Sequence, residues 1–155
     1  MDFGWTPENM ALKQEVRQFI AEHVTPEVLE EMRLSGEANR GPSEQVRYMS
    51  PLAAEVHTKI ANKGWIGISW PKEYGGQGGS RLDQYIVEEE FARVGLRVGG
   101  AGGVGTAILG AGTEDQKRYF LSGMLRGEVF LASGFTEPSG GADLASLQCR
   151  AARDG

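Results

Sequence analysis

Phe130-Leu-Ala-Ser-Gly-Phe-Thr-Glu-Pro-Ser-Gly-Gly-Ala-Asp-Leu-Ala-Ser-Leu-Gln-Cys-Arg150 is the stretch on which the reading of this chain turns. It begins as an extended apolar run, breaks at Pro138, turns through Ser139, Gly140 and Gly141, and resumes at Leu144. Glu128 to Thr136 is aromatic, β-branched and apolar enough for a buried strand. The elements before it read as helices, so a helical unit here hands over to one built from strands. The same few residues bring hydroxyl, carboxylate and glycine together, which makes the loop the first place to seek chemistry.

Working outward, the helix starts are the clearest signals. Thr6-Pro7-Glu8 combines a hydroxyl N-cap, a proline at the first helical position and an acid in the first turn. Leu12, Val16, Phe19 and Ile20 then share one face. Thr25-Pro26-Glu27 repeats the signal for a short helix carrying Val28, Leu29 and Met32, closed at Ser35-Gly36. Glu37 to Pro42 reads as a polar linker, with a turn of helix around Val46 to Met49. Ser50-Pro51 opens another helix through Leu52, Val56 and Ile60, with Gly64 as a left-handed C-terminal cap. Trp65 to Gly79, with Pro71 and its glycines, has no helical period and reads as a loop pinned by two tryptophans. Ser80 to Asp83 is a variant capping box. It opens a helix to about Val94 that turns Ile86, Val87, Phe91 and Val94 inward and leaves the Glu88-Glu89-Glu90 run partly solvated. Thr113 to Gln116 is a second box, opening a helix to about Leu125 that should bury Tyr119, Phe120, Leu121 and Met124 before Gly127 ends it. The expected architecture is mainly α: a helical domain of five or six helices over 1–127, then the first strand or strands of a β-domain over 128–155.

Composition narrows the function. In 155 residues, 40% are hydrophobic and 24% charged, a globular balance rather than a disordered one. A formal charge of −5 without a dense basic patch argues against nucleic acid. No apolar run approaches the ~20 residues that cross a bilayer. Met1 to Trp5 lacks the basic and apolar regions of a secretory leader, and the single Cys149 suits a reducing compartment, so a cytoplasmic protein is expected. His23 and His57 give a metal site little to draw on.

Gly100-Ala-Gly-Gly-Val-Gly105 satisfies the dinucleotide fingerprint G-x-G-x-x-G. That motif needs a strand before it and an acid closing a second strand ~20 residues on. Here the preceding chain is helical, and Glu114 and Asp115 open a helix instead. A nicotinamide-binding protein is therefore the lesser alternative to a helix whose small residues pack against a neighbour or a bound ligand.

The loop Gly134-Phe-Thr-Glu-Pro-Ser-Gly-Gly-Ala-Asp143 resembles the flavin-binding segment of acyl-CoA dehydrogenases. Gly64-Trp65 with Trp70-Pro-Lys-Glu-Tyr-Gly-Gly-Gln-Gly78, and Gly112-Thr-Glu-Asp-Gln-Lys117, resemble two further stretches of that family in the same order. Leu144 to Gln148 and Arg150 to Gly155 are similar to actinobacterial-type members. The resemblance implies a helical domain, a middle β-domain and a C-terminal helical domain holding FAD where they meet. It implies α,β-dehydrogenation of an acyl-CoA, a carboxylate taking the α-proton and the flavin the β-hydride, with an electron-transfer flavoprotein as acceptor and a homo- or hetero-oligomeric enzyme. On this reading Phe135, Thr136, Gly140, Gly141 and Ala142 bind the cofactor. Thr136 donates to the flavin's pyrimidine edge, the two glycines admit phosphate to the backbone, and Glu137 holds the loop. Ala142 stands where the family usually has a serine that bonds the pyrophosphate or the CoA arm. The segment Gly99 to Gly112 falls where the family lines its acyl pocket. The catalytic base is expected beyond Gly155 and the chain by itself is expected to be inactive. A non-catalytic partner subunit that keeps the fold is the other alternative.

Overall fold

The computed structural model describes residues 4–35, 50–96, 98, 103–129, 131, 136–138, 140–150 and 152. Among these, the regular structure is helical. The elements are α1 (Pro7–His23), α2 (Pro26–Ser35), α3 (Pro51–Asn62), a 3₁₀ turn (Lys72–Tyr74), α4 (Arg81–Ala92), α5 (Gly103–Ala111) and α6 (114–125). A last 3₁₀ turn covers Leu144–Ser146. The expected linker from Glu37 to Pro42, the turn of helix at Val46 to Met49 and most of the strand from Glu128 to Thr136 lie outside the described residues.

Two capping boxes set the frame. Thr6 Oγ1 accepts from the Asn9 main-chain N–H at 3.2 Å, and Ser80 Oγ from that of Asp83 at 3.1 Å. Each third residue bonds back to its cap, which satisfies donors that a helix start leaves orphaned. The boxes also meet: Asn9 Nδ2 donates to Asp83 Oδ1 at 3.4 Å. Further along, Arg17 reaches Glu90. Position numbers therefore rise together, and α1 and α4 run side by side in the same direction.

Between them lies the core. Val16, Ile86, Val87 and Phe91 are fully buried. Phe19, Trp65 and Phe91 form an aromatic cluster, with ring centroids 5.2 Å apart for Phe19–Trp65 and 5.9 Å for Phe19–Phe91. Edge-to-face contacts of this kind add to what area burial supplies. Opposite, α2 packs on α3 through Val28, Met32, Val56 and Ile60. The Ser50 side chain does not cap α3. Glu31 from α2 supplies the missing acceptor instead, taking the Leu52 N–H at 3.1 Å.

As expected, Gly64 ends this region in the left-handed conformation (φ 71°), and Trp65 and Trp70 anchor the loop that follows. The loop closes on itself through Gly78 N–H to Trp70 O and Gly79 N–H to Ile68 O, both 2.8 Å. It is tied to α6 by the Tyr74 hydroxyl, which donates to the Glu114 carboxylate at 2.9 Å.

One expectation fails on α6. Leu121 and Met124 are buried and Phe120 is half-buried, but Tyr119 is 70% exposed. A side chain two positions from Leu121 lies roughly half a turn round the helix, so burying one turns the other to solvent. The helix is α over Glu114–Gln116, π over Lys117–Leu121 and α again over Ser122–Leu125.

Candidate functional site

The glycine-rich turn after α6 is held by its own hydrogen bonds. Glu137 N–H donates to Gly140 O at 2.9 Å, and Gly140 N–H returns to Glu137 O at 3.1 Å, forming an isolated antiparallel bridge. Gly140 is buried, and a Cβ there would lie 2.7 Å from Ser146 Oγ and displace that hydroxyl. Asp143 Oδ1 accepts from Ala145 N–H at 3.1 Å, and Asp143 O accepts from Ser146 Oγ at 2.8 Å. Finally, the two carboxylate oxygens of Glu137 accept from Gln148 N–H at 2.8 Å and Cys149 N–H at 2.7 Å.

These bonds decide what the turn has left to offer. The Gly140 N–H is consumed inside it. Thr136, Gly141 and Ala142 are exposed, and no atom lies within 4 Å of a Cβ placed on Gly141. Among the described residues the turn therefore presents the Thr136 hydroxyl and a stretch of uncovered backbone around two small residues, a donor set suited to an anionic or carbonyl-rich ligand. Of the site residues read from the sequence, Phe135 lies outside the described residues, as does Ser139.

A second feature is α5. Its nine residues carry no charge, and Gly103, Thr106, Ala107, Gly110 and Ala111 are exposed, while Ile108 and Leu109 pack against the core. Gly105, the last glycine of the dinucleotide fingerprint, is buried under Trp70: a Cβ there would lie 2.6 Å from Cη2 of the indole. That glycine thus serves a packing contact within the chain, in line with the packing alternative. Gly100 to Gly102 lie outside the described residues.

Other ionisable clusters are structural. Glu90 is 3% exposed and holds Arg17 at 2.7 Å, Lys13 at 3.3 Å and Arg93 at 3.7 Å. Burial pushes its carboxyl up, and the hydrogen bonds and charges of Arg17 and Lys13 outweigh that, leaving it below the ordinary range. Tyr74 is pushed up by burial and by Glu114. Buried His57 is pushed down by desolvation, and its Nε2 has no partner among the described residues. The sequence pointed to neither Arg17–Glu90 nor Tyr74–Glu114, because these join positions 73 and 40 apart whose proximity only the fold supplies. Among the described residues no group of three His, Cys, Asp or Glu could hold a metal ion, and no helix is long and apolar enough to cross a membrane.

Comparison with known proteins adds the following. Residues 6–128 match the family model described as acyl-CoA dehydrogenase, N-terminal domain. The chain is 36% identical over 158 residues to acyl-CoA dehydrogenase FadE26 of Mycobacterium tuberculosis, which covers 100% of this chain and 37% of that protein. Among solved structures, it superposes on a chain of the ChsE4-ChsE5 complex from Mycobacterium tuberculosis with a TM-score of 0.79 and 35% identity, covering 100% of this chain and 37% of that one. It matches the steroid ACAD Tcur3481-Tcur3483 with a TM-score of 0.77 and 38% identity, covering 100% and 38%. The chain thus spans under two-fifths of the length of these relatives.

Proposed function

The chain belongs to the acyl-CoA dehydrogenase family, and from that premise we propose that it is the N-terminal part of an FAD-dependent enzyme that desaturates an acyl-CoA thioester between its α- and β-carbons. Residues 1–127 are the helical domain on this reading, and 128–155 begin the middle β-domain. The observation that carries the proposal is the prefolded turn, whose exposed hydroxyl and uncovered backbone fit a flavin.

Thr136 would donate to the pyrimidine edge of the cofactor, where negative charge builds on reduction. Gly141 and Ala142 would let main-chain N–H groups approach phosphate oxygens. Phe135 would add a backbone contact beside Thr136. Bound flavin supplies the hydride acceptor, and the protein's part is orientation and electrostatics. The carboxylate that removes the α-proton would come from the remainder of the whole protein, and an electron-transfer flavoprotein would take the electrons.

Three observations shape the substrate and the assembly. The uncharged small-residue face of α5 suits a bulky acyl group, in keeping with the likeness to a steroid ACAD. Ala142, exposed beside the turn, would border the CoA arm. The likeness to a chain of a two-component complex favours hetero-oligomeric assembly, and with it a second reading in which this chain is a partner subunit without the base.

The test is the purified whole protein. Flavin absorption in the visible, bleached by a steroid-type acyl-CoA and restored by an electron acceptor, is the expected result. A whole protein that stays colourless and takes up no added FAD refutes the proposal. Flavin uptake without bleaching by any acyl-CoA, together with activity gained on adding a second subunit, would select the partner-subunit reading.

A further inference from the structure

We infer that Glu137 is the positioning residue of the cofactor loop: its carboxylate clamps the main chain at Gln148 and Cys149, and so presets Thr136, Gly141 and Ala142 for the flavin before the flavin arrives. The inference rests on the flavin reading above and adds to it a residue that touches neither cofactor nor substrate.

Span distinguishes this clamp from the turn's other bonds. Within the turn, the bonds from Glu137 to Gly140 and from Asp143 to Ala145 and Ser146 each bridge at most three positions. They fold short pieces and leave the pieces free to swing. Among the described residues, the two bonds from Glu137 to Gln148 and Cys149 are the ones that cross the loop, over 11 and 12 positions. At 2.8 and 2.7 Å they lie in the range of charge-assisted bonds.

The chemistry of the clamp supports a dedicated role. Successive N–H groups of an extended chain point to opposite sides. Two of them converging on one anion is the concave backbone arrangement that elsewhere receives phosphate. Here the anion is the chain's own carboxylate. Gln148 and Cys149 are thereby removed from the set of donors available to a ligand, and the exposed donors at Gly141 and Ala142 are left for it. A loop already closed does not draw on the ligand's binding energy for its ordering, which is the general source of affinity by preorganisation.

The experiment compares the whole protein with E137A and E137Q. FAD affinity is measured on flavin-stripped protein, and amide hydrogen exchange is followed residue by residue in the same flavin-free samples. E137A should bind FAD roughly ten- to a hundredfold more weakly, from losing hydrogen bonds to a charged group. E137Q keeps one carbonyl acceptor and should fall between E137A and the wild type; it carries the test alone if E137A does not fold. Amides of Gln148 and Cys149 should lose protection without flavin present, while those of Val87 and Phe91 in the helical core keep theirs.

Wild-type affinity in both variants overturns the inference while leaving the flavin reading intact. Loss of core protection together with loop protection also overturns it, because Glu137 would then be a general stability determinant. A wild-type protein that binds no FAD overturns the flavin reading and this inference with it.

Discussion

Replacing Glu90 by alanine tests the link between α1 and α4. The carboxylate is 3% exposed and is met by Arg17 at 2.7 Å, Lys13 at 3.3 Å and Arg93 at 3.7 Å. Removing one partner of a buried ion pair costs about 3–5 kcal/mol when the other is stranded. Arg17 and Arg93 are 55% and 54% exposed and can turn back to water. The cost at Glu90 is therefore set below that range, about 2–3 kcal/mol, which for a domain of this size lowers Tm by about 4–12 °C. Arg17→Ala should cost less, since Lys13 and Arg93 still face the carboxylate, and the double variant should melt close to E90A alone. The pH dependence has a definite sign. Glu90's carboxyl is depressed in the fold, so its contribution is complete above the unfolded value of about 4.3 and disappears as pH falls through the lower folded value. Thermal melts of wild type and E90Q should differ at pH 7 and converge below about pH 4. Additive losses for Arg17 and Glu90, or a gap that does not close in acid, would refute the reasoning.

Gly105→Ala places a Cβ against the ring of buried Trp70 and should destabilise by about 1–3 kcal/mol. Gly110→Ala meets nothing within 4 Å and should stabilise α5 by about 0.5–1 kcal/mol, both read by chemical denaturation. His57 is held below its ordinary range by burial, so the fold favours neutral imidazole. Stability should therefore fall as pH drops below about 6.5, at no more than about 1.4 kcal/mol per pH unit, and His57→Leu should flatten that window in denaturation curves at pH 5.5 to 7.5. Ala142→Ser in the whole protein should tighten FAD binding roughly ten- to a hundredfold by restoring a hydroxyl donor to phosphate, and unchanged affinity in a flavin titration would remove that role.

What could be read from the sequence was mostly local. Thr6, Ser80 and Thr113 announce helix starts because a cap and its third residue are read within four positions. Gly64 and Gly127 mark helix ends because a left-handed residue there favours glycine. The same local reading left Glu90 inside a charge run. Its burial depends on α1 and α4 running in parallel, which nothing in either helix states. Tyr74 and Glu114 are likewise brought together only by the loop's path around Trp70. Tyr119 faces solvent although aromatic, because Leu121 and Met124 define the inward face of α6 and leave it on the other side.

The turn and α5 share a property that separates them from the rest of the chain. Elsewhere, exposed helix faces carry charge: Glu15, Glu30, Arg33, Lys63 and Arg93 form ion pairs there. α5 instead turns glycine, alanine and threonine outward without a single charge, and the turn leaves Gly141 and Ala142 uncovered. A helix face meant to meet only water has no reason to avoid long charged side chains, which add helix propensity and surface ion pairs at little cost. A face that must let another body approach closely does have that reason, because each added side-chain atom would hold the body away. On the proposed function that body is the flavin at the turn and the acyl group at α5. The substitution that separates this argument from mere tolerance is Gly110→Leu in the whole protein. It should leave the fold's stability within about 1 kcal/mol, since the position is open. It should also raise KM for a steroid-type acyl-CoA far more than for a short straight-chain one. Equal effects on both substrates would mean that α5 lines no acyl site.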